Sequence, residues 1–244
     1  MTICKPISIE GILRRAAQGV TRPFFCKTSD GPYWLKGRNT GMAGLCHEWI
    51  AGCMARALGL PVPSFGLIEV GREIISGSSL PDAGELGVGP AFASRHVVSD
   101  GDLSFTTALT LPLELKLRIL FFDAWVRNED RTLGGQGGNV NLLWDQAHAK
   151  LWVIDHNNAF DPGFQWDRFL ANHVFSHVLS AEGLRSPELD KLRAQMKEIT
   201  GKVPEFFNEL PQEWLEIAET QDTFSLESIR RMISEFDPIF DNLP

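Results

Sequence analysis

The chain has 244 residues, of which 43% are hydrophobic and 22% are charged, an ordinary balance for a soluble protein with a sizeable core. Its formal net charge of −8 argues against general nucleic-acid binding, which depends on neutralising phosphates with clustered basic side chains. The sequence contains no apolar run of about 18 residues that would span a membrane and no signal-peptide pattern at its start, so we expect a cytoplasmic protein.

The first elements in chain order are predicted to be a helix and a β-hairpin. Ser8 to Gln18 is assigned to the helix. Phe24 to Lys27 and Tyr33 to Lys36 are short apolar runs on either side of an Asp-Gly turn signal, which is typical of a hairpin. Lys36 ends the second strand and precedes a polar, glycine-bearing loop, a position that suits phosphate. Lys27 on the first strand is the competing lysine.

A second helix is predicted from Leu45 to Leu58, where apolar residues recur at helical spacing until Gly59 and Pro61. Glu48 is placed in its first turn. Both residues also have a purely structural interpretation. Lys36 could be a solvated lysine at a strand end, and Glu48 could interact favourably with the helix dipole.

The next segment is predicted to form a second hairpin from Ser64 to Val70 and Glu73 to Ile75. Ser76 to Pro90 is rich in glycine and proline, so it is predicted to be a loop near the boundary between two parts of the domain. Mainly helical structure is expected from Leu111 onwards.

The stretch from Arg127 to Ala159, together with the segment that precedes it, is the most informative part of the sequence. A helix is predicted from Leu113 to Arg127, followed by a polar loop that carries Asp130. The apolar runs Val140 to Trp144 and Leu151 to Ile154 are predicted to pair as an antiparallel hairpin. Pairing Trp144 with Leu151 makes cross-strand partners sum to roughly 295. That register places Asn141 within about one residue of Asp155.

This order of residues is that of a phosphoryl-transfer centre. Kinases with two metal ions use a base-like Asp after a helix, an amide or carboxylate ligand before a strand, and a second Asp after the hairpin. Asp130, Asn141 and Asp155 occur in that order. Taken singly, each would more often be a structural turn residue, because Asn and Asp hydrogen-bond their own backbone. Farther on, His173 and His177 have the i, i+4 spacing of metal ligands, but they lack an acidic motif and are interpreted as structural or lid residues.

The same segment resembles the HipA-like kinases, and in particular a compact branch of that family. The similarity extends from about residue 8 to about residue 180. The family motif reads approximately Asn-x-Asp-Arg-Thr-x-x-Asn-x-Asn-Leu-Leu-Trp, followed by Leu-Trp-x-Ile-Asp-His. This chain matches it at Asn128, Asp130, Arg131, Thr132, Asn139, Asn141, Leu142, Leu143, Trp144, Leu151, Trp152, Ile154, Asp155 and His156.

The resemblance implies an α+β, two-lobed, atypical protein-kinase-like fold. Residues 1–96 would form a small β-rich lobe that binds nucleotide and ends in a hinge, and residues 97–244 a mainly helical catalytic lobe. Phe92 to His96 would be the hinge strand against which adenine packs. The implied cofactors are ATP and Mg²⁺, and the implied reaction is serine or threonine phosphorylation of a protein.

The resemblance also implies roles for individual residues. Asp130 would orient the attacking hydroxyl or accept its proton. Asn141 and Asp155 would hold Mg²⁺. Lys36, oriented by Glu48, would bind the nucleotide phosphates.

The chain departs from the family pattern in two places. The family places its first catalytic-loop Asn five residues after the Asp, whereas here Leu133 to Gly138 extends that interval to nine, at Asn139. Asn139 and Asn141 are therefore both candidate metal ligands, and the inserted loop is expected to face the substrate. After Asp155 the chain lacks the Asp-Phe-Gly of protein kinases, and the Ile-Asp-His form matches HipA-like and phosphatidylinositol-kinase-like enzymes.

Two alternatives remain open at this point. One is a lipid or small-molecule kinase, because the phosphatidylinositol-kinase-like pattern is shared. The other is an ATP-binding pseudokinase that acts as a partner-binding module. The resemblance to toxins of the family also raises an antitoxin-like regulator as a partner.

Overall fold

A computed structural model describes residues 7–17, 19–133, 138–180, 187–221 and 224–242. The strands are β1 Ile9–Arg15, β2 Phe24–Thr28, β3 Gly31–Lys36, β4 Phe65–Val70, β5 Gly89–Arg95, β6 Gly101–Asp102, β7 Leu142–Asp145 and β8 Lys150–Val153. The helices are α1 Met42–Ala57, α2 Arg72–Ser76, α3 Phe105–Thr110, α4 Leu113–Trp125, α5 Trp166–Asn172, α6 Pro187–Thr200, α7 Val203–Asn208, α8 Gln212–Ala218, α9 Leu226–Ser234 and α10 Asp237–Asn242. In the part of the chain that the structure describes, no helix is both long and apolar enough to cross a bilayer.

The chain divides into two compact units. The first contains 1–46, 63–98 and 211–218, and the second contains 47–62, 99–210 and 219–244. The first unit holds an antiparallel sheet and the second is mainly helical, so the predicted α+β class is confirmed.

The first unit is built on a five-stranded sheet with the order β1-β2-β3-β5-β4, in which all neighbours are antiparallel. The hairpin of β2 and β3 is confirmed, with Phe24 opposite Leu35 and Thr28 opposite Gly31. Gly31 has a φ of +102°, a conformation that only glycine adopts readily, which explains the Asp-Gly turn. The strand predicted at Phe92 is also confirmed, and its role as a hinge stays a prediction.

The predicted helix from Ser8 to Gln18 is wrong, because residues Ile9–Arg15 form strand β1. The ladder between β1 and β2 is interrupted by irregularities between Ile9 and Gly11 and between Ile12 and Arg14. A bulge inserts an extra residue and breaks the strict alternation of a strand. Ile9 and Ile12 are consequently both buried at a spacing of three, which imitates a helical period.

The predicted second hairpin is half wrong. Phe65–Val70 is strand β4, but Arg72–Ser76 is the short helix α2, and β4 pairs with β5 instead. Ile74 and Ile75 pack on the sheet core from the helix. A short run with two adjacent isoleucines is compatible with a strand or with a helix. Gly71 lies between the end of β4 and the start of α2.

Helix α8 belongs to the sheet-containing unit although it follows most of the helical part in sequence. Its Trp214 is fully buried, and the indole N–H donates to the carbonyl of Pro90 at 3.1 Å. Glu213 forms an ion pair with Arg38 at 2.7 Å. This unit is therefore completed by a segment from far along the chain.

The second unit places helix α4 at its centre. Of its thirteen residues, nine are buried, from Lys116 to Trp125 with one interruption. Strands β6, β7 and β8 form a small sheet in which Trp144 lies opposite Leu151 and Leu142 opposite Val153. The hairpin and its register are thus as the sequence predicts.

Candidate active site

The loop after helix α4 is fixed to the helix by a buried asparagine. The Asn128 side chain donates to the Asp123 carboxylate at 3.0 Å, and its amide oxygen accepts the backbone N–H of Asp130 at 3.2 Å. Asn128 is completely buried. The position of Asp130 is therefore set by α4 through a side chain whose hydrogen bonds are satisfied on both sides.

The open end of the β7–β8 hairpin carries Asn141 and Asp155. The backbone N–H of Ile154 donates to the Asn141 carbonyl at 3.1 Å, so Asn141 lies opposite Ile154 and within one residue of Asp155, as the predicted register requires. Asn141 and Asp155 both have positive φ, +48° and +60°. Such backbone is uncommon outside glycine and is concentrated at functional sites, where surrounding structure holds it in place.

The Asp130 carboxylate is held by two side-chain amides. Its Oδ2 accepts a hydrogen bond from Asn141 Nδ2 at 3.2 Å and another from Asn158 Nδ2 at 2.9 Å. The structure thus brings Asp130 and Asn141 together, as expected. Asn158 was not foreseen, and the signal for it was an Asn-Asn pair shortly after Asp155.

Asn139 lies apart from this contact. It is exposed, and its backbone pairs with Thr132, which donates to the Asn139 carbonyl at 2.9 Å. The Asn139 N–H donates to the Thr132 hydroxyl at 3.2 Å. Asn139 therefore closes the base of the predicted insert through its backbone. Of that insert, residues 134–137 lie outside the described residues.

Glu48 is anchored next to Asp155. It is 3% exposed, and its carboxylate accepts the backbone N–H of His156 at 3.0 Å. The prediction that Glu48 lies in the first turn of its helix is wrong, because α1 begins at Met42. The prediction started the helix at Leu45, the first leucine of the apolar stripe. The helix instead begins directly after Gly41, whose φ of +79° ends the preceding turn.

The two candidate lysines differ in their surroundings. Lys36 lies on β3 opposite Phe92 and is only 7% exposed. Lys27 is exposed and forms an ion pair with Glu10 at 2.7 Å. Lysine is rarely buried unless its charge is paired, so Lys36 is not the solvated strand-end lysine of the structural alternative. Its pairing with Glu48 stays a prediction.

A buried polar cluster beneath the loop was missed by the sequence analysis. It consists of Asp123, Arg131, His173 and Asn128, which we call the clamp. Arg131 donates from Nε to Asp123 Oδ2 at 2.7 Å, and the other carboxylate oxygen accepts a second guanidinium N–H at 3.3 Å. His173 Nε2 lies 3.0 Å from Asp123 Oδ2. Asp123 and Arg131 are both completely buried.

The charges in the clamp balance. Burial by itself would raise the pKa of Asp123, but the Arg131 charge and the His173 hydrogen bond outweigh it and lower the pKa to about 2. Burial lowers the pKa of His173, so its ring is neutral at pH 7. The backbone N–H of Phe175 donates to His173 Nδ1 at 3.1 Å, so the ring proton sits on Nε2 and points at Asp123.

The residues at the hairpin end suit a magnesium ion. Among the described residues, no three His, Cys, Asp or Glu side chains form a metal cage. Mg²⁺ is usually bound by one or two carboxylates together with waters and substrate phosphates. Because Asn141 Nδ2 donates to Asp130, the amide oxygen is left as an acceptor, and the Asn141 backbone pairs with Ile154, the residue before Asp155. An amide oxygen and a carboxylate are ligand types that Mg²⁺ accepts.

Comparison with known proteins identifies the family to which the chain belongs. The model of the HipA-like kinases matches residues 9–239. No curated protein gives a match. The solved structure of a proinflammatory kinase from Helicobacter pylori, CtkA, is similar with a TM-score of 0.48 and 13% identity, over 99% of this chain and 95% of that one. The FAT and kinase domain of CtTel1 gives a TM-score of 0.36 and 13% identity, over 95% of this chain and 22% of that one. Since the family model covers nearly all of its residues, the chain belongs to the HipA-like kinase family.

Proposed function

We propose that this protein is an ATP- and Mg²⁺-dependent kinase that phosphorylates serine or threonine residues of a protein. Its family makes it a phosphotransferase of the kinase type. The observation that carries the finer proposal is the contact between the Asp130 carboxylate and the Asn141 amide, at 3.2 Å, beside the position of Asp155. Phosphoryl transfer requires a base and metal ligands close together, and the proposal gives these roles to Asp130, Asn141 and Asp155.

Asp130 would act on the substrate hydroxyl. Its Oδ2 already accepts two amide hydrogens, from Asn141 and Asn158, and among the described contacts its Oδ1 accepts none. The carboxylate is therefore held in one orientation with one oxygen able to accept the proton of an incoming hydroxyl. Fixing the base in this way favours the reacting geometry before substrate binds.

Asn141 and Asp155 would hold Mg²⁺, with Asn139 as the alternative ligand. When bound, Mg²⁺·ATP supplies the phosphoryl group, and the metal neutralises charge on the phosphates. The chain's own contribution is to keep the two ligands in place at the end of a hairpin whose register is fixed by its ladder. The backbone contact from Glu48 to His156 restrains the residue next to Asp155.

Lys36 and Glu48 would serve the nucleotide phosphates. The support for Lys36 is its burial on β3. A lysine that is only 7% exposed needs a charged or polar partner, and nucleotide phosphates would be suitable partners. Its competitor Lys27 is exposed and already paired with Glu10. The roles themselves rest on the resemblance to the family.

A protein substrate is supported by a cleft beside the catalytic loop. This cleft has a volume of about 430 Å³, and its lining includes Phe105, Leu109, Thr132 and Val174. Phe105 and Leu109 are apolar and partly exposed. The lining is mixed, because polar residues such as Asn172 and Ser176 stand beside the apolar ones, and among the described residues it contains no lysine or arginine. It therefore suits a polypeptide segment better than an anionic lipid headgroup, which would need clustered cations. A cytoplasmic location and an antitoxin-like regulator remain parts of the proposal that rest on the sequence.

Phosphate transfer from labelled ATP tests the proposal. The wild type, Asp130→Ala and the surface control Asp190→Ala would be incubated with Mg²⁺, alone, with a cell lysate and with phosphatidylinositol vesicles. We expect labelled phosphoserine or phosphothreonine in protein from the wild type and the control only. Label in lipid would instead establish the lipid-kinase alternative. Stabilisation by ATP against heat without transfer would establish the pseudokinase alternative.

A further inference from the structure

The guanidinium of Arg131 contacts the backbone at the metal-binding end of the hairpin. One of its terminal nitrogens, Nη1, donates to the Asn141 carbonyl at 2.6 Å and lies 3.4 Å from the Ile154 carbonyl. These carbonyls belong to the peptide that follows Asn141 and the peptide that precedes Asp155. A single nitrogen therefore restrains the backbone at both candidate metal ligands.

We propose that Arg131 is a positioning residue that holds Asn141 and Asp155 in their metal-binding conformation, and that Asp123 and His173 hold its guanidinium in place. This inference rests on the proposed function, because it concerns the same site. Arg131 is not expected to touch substrate or metal, since its side chain is completely buried.

The backbone at this point needs such a restraint. Asn141 and Asp155 both have positive φ. Asn and Asp tolerate this region better than other non-glycine residues, but it still costs free energy relative to ordinary backbone, and neighbouring contacts help to keep it populated. The ladder of β7 and β8 begins one residue inside this end, at Leu142 and Val153. The contacts from Arg131 extend that restraint to the ligands themselves.

The other members of the clamp fix the guanidinium in turn. Asp123 accepts two N–H groups of Arg131, so the planar fork has one orientation. His173 and Asn128 donate to the same carboxylate, His173 to Oδ2 and Asn128 to Oδ1, each at 3.0 Å. Asn128 also accepts the Asp130 backbone N–H, so the base and the metal ligands are positioned from a single carboxylate on α4.

The variant Arg131→Lys distinguishes a positioning role of the side chain from the effect of its positive charge alone. Arg131→Lys keeps the positive charge opposite Asp123 but lacks the fork that reaches the hairpin carbonyls at the same time. Arg118→Lys is the matched control. Arg118 lies on α4, the helix that carries Asp123, pairs with Glu114 at 2.7 Å and donates to the Leu58 carbonyl at 3.2 Å, away from the site.

The primary measurement is calorimetric binding of Mg²⁺ in the presence of a non-hydrolysable ATP analogue. For Arg131→Lys we expect the half-saturating Mg²⁺ concentration to rise about 10- to 100-fold, as when a group that orients a metal ligand is removed. The control should stay within about 3-fold of the wild type. In a cycle with Asn141→Ala, the effect of Arg131→Lys should become clearly smaller, because one of the two ligands that Arg131 positions is gone and only the effect on Asp155 remains.

Wild-type Mg²⁺ affinity in Arg131→Lys, or losses that add fully in the cycle, would overturn the inference. If Arg131→Lys does not fold, His173→Ala and His173→Gln provide the decision. We expect the alanine variant to weaken Mg²⁺ binding and the glutamine, which keeps an N–H donor towards Asp123, to restore most of it. Equal Mg²⁺ affinity in both variants would overturn the inference.

The same experiment distinguishes failure of the inference from failure of the proposed function. A wild-type protein that binds Mg²⁺ with the analogue but transfers no phosphate would refute the proposed function, while the binding comparison would still decide the role of Arg131. A wild-type protein that binds no Mg²⁺ with the analogue would overturn both.

Discussion

Acidification is expected to destabilise the protein through His47. Its ring, on helix α1, stacks on Phe224 at 5.7 Å and meets Phe160 edge-on at 5.6 Å. Burial lowers the pKa of His47 to about 4, although a backbone hydrogen bond at Asn157 and the charge of Asp161 act in the opposite direction. The unfolded chain therefore takes up a proton at a higher pH than the folded protein does.

The sign and size of the effect follow from the two pKa values. Because the folded pKa lies below the unfolded value of about 6.5, the stabilisation is complete above about pH 6.5 and is lost as the pH falls towards about 4. Between pH 7.5 and 5.0 this difference corresponds to a loss of about 2 kcal/mol in the free energy of unfolding. His47 as a residue is partly exposed, so solvent screening reduces the expected loss to between about 1 and 2 kcal/mol.

Equilibrium urea unfolding at pH 7.5 and pH 5.0 measures this loss in the wild type and in His47→Phe. Phenylalanine keeps the aromatic contacts and removes the titrating group. At pH 7.5 we expect the variant to be less stable by about 1 kcal/mol, because the hydrogen bond at Asn157 is lost. The variant should then lose about 1 to 2 kcal/mol less than the wild type on acidification. Equal losses in the two proteins would refute the reasoning and point to other groups, such as the buried His173.

Substitutions in the candidate site have separable expected effects. In a Mg²⁺ titration of phosphate transfer, Asn141→Ala should raise the metal requirement steeply and nearly abolish turnover, while Asn139→Ala keeps appreciable activity; the reverse order would assign the metal to Asn139. Asn158→Ala removes one amide donor to Asp130, the proposed base, and should lower kcat about 10-fold with little change in KM for ATP; an unchanged kcat would show that the contact is dispensable. Lys36→Ala and Glu48→Ala should each weaken ATP use, with the double variant little worse than either one, whereas additive losses would show independent action.

The β7–β8 hairpin was predictable because the interactions that form it are local. Two apolar runs separated by a polar turn define both strands and their register, and the predicted pairing of Trp144 with Leu151 is observed. The position of Asn141 beside Asp155 follows from that register alone. Helix α4 was predictable for the same reason, since its apolar residues recur at helical spacing.

The errors arise where tertiary structure overrides a local pattern. Irregular pairing along β1 gave it the apparent period of a helix. In Arg72–Ser76, the adjacent isoleucines are compatible with a strand or a helix. Because β4 pairs with β5, this segment is not the partner strand of β4, and it forms helix α2. In neither segment does the local sequence contain the contact that determines the outcome.

The clamp was missed although the sequence contained a sign of it. Asp123 interrupts an otherwise apolar stretch on a helix predicted to be buried. A buried carboxylate requires a partner, and that reasoning would have directed attention to Arg131, eight residues later, as more than a motif residue. The participation of His173 depends on a return of the chain between Thr132 and His173 that no local pattern reveals.

The late addition of helix α8 to the sheet-containing unit has a consequence for how the protein is made. During synthesis, all five strands leave the ribosome well before Trp214 and Glu213, so the nascent sheet lacks the indole that covers Pro90 and the carboxylate that pairs with Arg38. Closing such a long loop is slow compared with forming local contacts. Until translation passes α8, this half of the kinase should expose apolar surface and be a substrate for chaperones and proteases.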